Sequence, residues 1–354
     1  MIAPKFTSGA SILGSSMIIS QVMRSKKNRE NITQRLICFA SIFDLLVSTS
    51  WFLTNLMMPK FGSSLDRYYI GNMTSCRVQG FIIQLSLAGM MCNSVFISFN
   101  HLLGIKYMWC HFELRKIEPW YYVTSLVLGL TVAIIAASKD LFHPAVWDCW
   151  IECEHSLSET ECKGTGSRHY QMILYFGFLW IFIIISAVNS VLLYFHVVKI
   201  EKASSMYKRH ADTSKHSRAV FNQSVLYVGG FVINWIFPTT YRLLVLVSGG
   251  KIKPKWLALL AGIFVPIQGF LNAIVFFRVR ALKCRSENQS SLITVICNLV
   301  TSTLLCTDPY VNDSKDLIKT PQEFEKNVKS LRKLSIKICE GEEPVQDPVS
   351  LEEE

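Results

Sequence analysis

Between positions 148 and 162 the chain reads "DCWIECEHSLSETEC", which sets three cysteines, five acidic residues and a histidine within fifteen positions. Such residues can bind a metal, run thiol–disulfide chemistry or tie a loop, and the segment alone admits all three. A zinc site would draw on Cys149, Cys153, Cys162 and either His155 or His143, but the Cys-x3-Cys spacing has no matching second pair. Other reactive residues lie inside apolar runs, where an ionisable group is costly and marks a candidate site: Asp44, His101, His196 and Arg242. Asp44, in "SIFDLL", falls about 12 Å inside its run at 1.5 Å per residue. Asn93 and Asn272 come out at a similar depth, so the three are expected to share one interhelical hydrogen-bond network acting as a switch, the alternative being simple helix-to-helix adhesion. Arg242 follows Pro238 in "NWIFPTTYR". The proline bends its helix, Trp235 lies beneath the bend as part of a hinge, and the guanidinium can meet an anionic ligand or reach the headgroups.

The elements that position these groups are long apolar runs. The 354 residues are 50% hydrophobic and only 18% charged, against about 25% charged in soluble chains. Seven runs of about 20 nearly charge-free residues occupy 4–23, 36–58, 78–103, 120–138, 170–198, 224–247 and 256–277. The expected fold is therefore an all-α membrane protein, a seven-transmembrane-helix bundle. The first run is the least apolar, and its "SGASILGSS" centre suits close helix packing; a cleaved signal peptide is the competing reading.

Charge sets the orientation. With the N-terminus outside, the inner stretches carry 18 Lys and Arg and the outer ones 10, as the positive-inside rule requires. This topology accounts for the net charge of +10 without nucleic acid as a partner; the partner is the lipid bilayer. The expected domains are a membrane domain over 1–285 and a largely disordered cytoplasmic tail over 286–354, rich in Ser, Glu and Lys and ending "LEEE". Four cysteines fall in the outer stretches: Cys76, Cys149, Cys153 and Cys162. In an oxidising compartment these suggest two disulfides with three possible connectivities; the remaining cysteines are expected free or lipidated. The sequon Asn72-Met73-Thr74 lies in the first outer loop and is a glycosylation candidate.

Several chemistries lack their residues. No Walker or dinucleotide glycine loop and no His-Glu-x-x-His is present. The seventh run has no internal lysine, Lys255 standing at its entrance, so it offers no amine for a retinal Schiff base. The chain is expected to be no enzyme and to need no cofactor.

In order and spacing, "SIFDLL", Cys76 in "TSCRVQGFIIQL", "DCWI", "HYQMILYFGFLWIFIIISA", "NWIFPTTYRLL" and "PIQGFLNAIVFFRVR" resemble the slime-mould-type cyclic-AMP-receptor-like family. These are seven-helix G-protein-coupled receptors of protists, algae and fungi, distantly similar to the secretin group. The resemblance implies a plasma-membrane receptor in which an extracellular ligand shifts helices and opens an inner cleft to a heterotrimeric G protein. It favours a Cys76–Cys149 disulfide, which leaves Cys153 to Cys162 and makes the loop a lid. Arg242, Tyr241, Gln84 and Trp150 form the expected ligand-binding set for an unknown extracellular ligand, and Arg242 permits a small anion there. The family's pattern is not met everywhere: the third run ends "NHLLGIKY", without the Asp-Arg-Tyr of the rhodopsin-like class. A small-solute transporter or channel-like protein is the alternative function.

Overall fold

The computed structural model describes residues 2–60, 69–107, 109–145, 147–152, 170–206, 211–248, 252 and 254–288, all within one compact unit, Met1–Leu299. The helices are α1 (Ile2–Arg24), α2 (Lys26–Glu30), α3 (Ile32–Phe52), α4 (Thr54–Met57), α5 (Met73–Lys106), α6 (His111–Ser138), α7 (Phe178–Met206), α8 (Ala211–Val247), α9 (Lys255–Phe264) and α10 (Gln268–Asn288). A π-helical turn, Met172–Gly177, leads into α7. The architecture is an all-α membrane bundle. Among the described residues, four helices are long and apolar enough to cross a bilayer, and the bent pair α9–α10 makes a fifth. Helices α1 and α8 have the length but are more polar, α1 through its serines and glycines and α8 through its opening "ADTSKHSR".

Helix α5 is the axis of the bundle, packed against α3, α6, α7 and α8. Its Met90, Met91 and Leu87 are almost wholly enclosed. Two glycines permit close approach of helix backbones. A Cβ at Gly129 of α6 would stand 2.6 Å from the Leu85 carbonyl oxygen of α5, and one at Gly14 of α1 would stand 3.0 Å from the Phe270 Cα of α10. Small residues in the first run thus serve close packing, as its composition indicates.

The seventh run is broken rather than continuous. Helices α9 and α10 meet at 47°, with Pro266 between them, because proline supplies no N–H and crowds the preceding turn. The backbone groups freed at the break find partners on other helices. Ser48 Oγ donates to the Pro266 carbonyl at 3.2 Å, and the Gly269 N–H donates to Ser11 Oγ at 3.0 Å. A polar serine pair, itself joined at 2.8 Å, satisfies the backbone where lipid could not.

At the end of the bundle holding the starts of α3 and α6, Arg35 forks onto Glu118 at 2.6 and 2.5 Å, and Tyr122 Oη donates to the same carboxylate. At the other end lies a feature absent from an all-α expectation, an antiparallel hairpin of β1 (Phe142–Pro144) and β2 (Cys149–Ile151), pairing His143 with Trp150. Three residues are too few for a period-two pattern to show in the sequence.

Candidate functional site

The hairpin is fastened to the bundle at several independent points. Cys149 is disulfide-bonded to Cys76 at the start of α5. Gln79, one turn further along α5, accepts from the Cys149 N–H at 3.3 Å while its amide donates to Ser50 O and Thr54 Oγ1 at 2.8 and 2.9 Å. Trp147 donates through Nε1 to Ala258 O of α9 at 2.9 Å, and its own carbonyl accepts from Thr54. Trp150 Nε1 donates to Gln84 Oε1 at 2.8 Å, and Gln84 Nε2 in turn donates to Leu174 O in the π turn at 3.3 Å. The segment is therefore a fixed lid. The other half of the expected disulfide framework, Cys153 and Cys162, lies outside the described residues. Cys110, expected to be free, is disulfide-bonded; thiol proximity in the fold, which sequence spacing does not encode, decides such pairing.

Beneath the lid is a cavity of ≈ 60 Å³. Its walls are aromatic, with Trp51 from α3, Trp147 and Trp150 from the lid, Tyr175 from the π turn, and Trp235 and Tyr241 from α8. Pro238 lines it too, so the predicted hinge borders the cavity. Two ionisable residues face it, Asp148 and Arg242. Arg242 is already partnered: its Nη1 donates to Glu152 Oε2 at 2.8 Å, and its guanidinium lies 4.9 Å from the Trp150 ring centroid and 5.8 Å from that of Tyr241. Asp148 is 7% exposed. Burial pushes its carboxyl up to about 6 against the downward pull of Arg242.

Of the expected ligand-binding set, Arg242, Tyr241 and Trp150 converge on this cavity. Gln84 does not line it; fully buried, it spends both ends of its amide holding Trp150 and the π turn. Residues that sequence reading passed over are Asp148, Glu152, Trp147, Trp51 and Tyr175. The phrase "VWDCWIE" beside a pairing-competent cysteine was the available signal for three of these, Trp147, Asp148 and Glu152.

Deeper in the bundle, Asn272 Nδ2 donates to Asp44 Oδ2 at 2.8 Å, and Gln268 Nε2 donates to Asn272 Oδ1 at 3.1 Å. Asn93 does not join them. Its amide donates to the Leu36 carbonyl at 2.9 Å, because it shares their depth and not their side of the bundle. A second cavity, ≈ 20 Å³, has Gln268, Asn272, Tyr227 and Phe231 in its wall. Rings connect the two levels. Trp150 meets Tyr175 edge-on at 4.7 Å, Tyr175 meets Trp235 at 5.8 Å, and Trp235 lies 6.1 Å from Phe231.

This lidded bundle superposes on squid rhodopsin with a TM-score of 0.62 over 81% of the chain and 79% of that structure, at 15% sequence identity. The chain has the rhodopsin fold. In sequence it is 24% identical over 277 residues to the blue-sensitive opsin of Psalidodon fasciatus, covering 77% of this chain and 73% of that protein. No family model matches it. Within this fold the cavity wall contains no lysine among the described residues, so those residues offer no amine to a chromophore held as a Schiff base and do not fit one.

Proposed function

We propose that the protein is a G-protein-coupled receptor of the plasma membrane and not an enzyme, with the cavity under the lid as its ligand site. The observation that carries this reading is the run of packed rings from the lid, Trp150 to Tyr175, Trp235 and Phe231, which passes Pro238 and ends at the second cavity, whose wall includes Asn272. A ligand that favours one arrangement of the bent helix shifts the population toward it by its differential affinity alone. The rings and the hydrogen-bonded asparagine are the contacts through which the far end can respond. The fold shared with squid rhodopsin supports the same reading, as do the motifs resembling cyclic-AMP-receptor-like receptors. The latter resemblance is the basis for placing the chain among them.

The lid end is the extracellular one in this reading, since the stretches at the other end carry the excess of Lys and Arg. Pro4 of α1 lies at that same end, beside Gly262 and Trp147, which supports an N-terminus outside. Asn72 caps α5 there with its Oδ1 accepting from the Ser75 N–H at 2.8 Å, and is proposed to carry a glycan. The tail beyond residue 288 is proposed to be cytoplasmic. Ligand-dependent nucleotide exchange on a heterotrimeric G protein tests the function. A transporter would move solute across vesicles and leave exchange at its basal rate.

A further inference from the structure

We infer that the cavity under the lid takes a small organic cation, an amine, with Asp148 as its counter-ion; the inference rests on the receptor reading of this same cavity. Arg242 is the natural anchor for an anion, but its guanidinium is already paired with a carboxylate. It holds Glu152 at 2.8 Å with side chains only 16% and 21% exposed, and it lies over the Trp150 ring. An anion entering here would have to displace Glu152 and would then face two carboxylates, Glu152 and Asp148, with one positive charge between them.

The unpaired charge at the cavity has the opposite sign. Arg242 is joined to Glu152, and Asp148 forms no ion pair with any described residue. A carboxylate buried without a counter-ion is unfavourable unless a cation completes it. The wall around it is built for one. Trp51, Trp147, Trp235 and Tyr175 present ring systems to the cavity, and such rings attract a desolvated ammonium through their quadrupoles. The molecule already uses this wall for that purpose, since Arg242 rests against Trp150 and Tyr241. At ≈ 60 Å³ the space admits roughly four waters, so the cationic head is compact and any longer substituent must lead out of the cavity.

The test uses the full-length protein in lipid nanodiscs, with tetramethylammonium chloride and sodium acetate as probes at matched ionic strength and the tryptophan fluorescence of the cavity as the readout. The expected result is a saturable change with tetramethylammonium, none with acetate, and at least tenfold weaker tetramethylammonium binding in Asp148→Asn. Saturable binding of acetate with tetramethylammonium inert, or equal tetramethylammonium binding by Asp148→Asn and the unaltered protein, overturns the inference. The comparison of the two salts on the unaltered protein decides the sign of the ligand even if the variant fails to fold. Nucleotide exchange measured in parallel separates the two readings. Tetramethylammonium binding without exchange sustains the cation site and removes the receptor, whereas exchange driven by anions alone sustains the receptor and removes the cation site.

Discussion

Asp148 illustrates how one residue's environment sets a measurable property. Its carboxyl is raised from the usual aspartate range to about 6, so the folded state binds a proton more tightly than the unfolded chain does. Stability contributed by that proton is present at low pH and lost as pH rises from about 4 through 6. Replacing Asp148 with Asn should therefore stabilise the protein at pH 7.5, by up to about 3 kcal/mol for a two-unit difference, with the gain vanishing below about pH 4. Thermal melts of both proteins across this range check the sign. Trp150 and Gln84 make a second residue-scale case. Trp150→Phe leaves the Gln84 Oε1 buried without its donor, which should cost about 1–3 kcal/mol, and Gln84→Leu in the same chain should recover part of the loss. Both residues were expected in the ligand-binding set. Their bond to each other was not, because the residues are 66 positions apart and their meeting depends on where the hairpin is fastened.

At the scale of elements, the apolar runs fixed where helices form, because a length of lipid-compatible sequence and a rise of 1.5 Å per residue determine how far a helix reaches. Depth could therefore be counted for Asp44, Asn93 and Asn272. Azimuth could not, and it is azimuth that joins Asn272 to Asp44 and sends Asn93 to Leu36. The break at Pro266 was written in "VPIQGF", but a 47° bend is tolerable only because Ser11 and Ser48, on two other helices, receive the freed groups. Ser48→Ala should leave the Pro266 carbonyl without this donor and cost about 1 kcal/mol. Gly14→Val should cost more, about 1–3 kcal/mol, by forcing α1 off the Phe270 backbone. Melting curves of the two variants in the same detergent rank them.

For the molecule as a whole, the Cys76–Cys149 disulfide joins residues 73 apart in sequence and holds the lid over the bundle. Its loss through Cys149→Ser should cost about 2–5 kcal/mol and uncouple lid from cavity, and surface expression with melting temperature reports the first effect. The pairing was foreseeable only through family resemblance, since four outer cysteines allow three connectivities. Arg242 stood out alone in the sequence for a related reason: it lies in an apolar helix, while the acids that offset it sit 90 or more positions away in a loop. The most direct measurement of the central claim is nucleotide exchange by a purified G-protein heterotrimer with this protein in lipid nanodiscs, across a panel of small amines. The account predicts that some amines accelerate exchange saturably and that Cys149→Ser abolishes the acceleration. Exchange that stays at its basal rate for every compound, with uptake of the same amines into sealed vesicles, would contradict it.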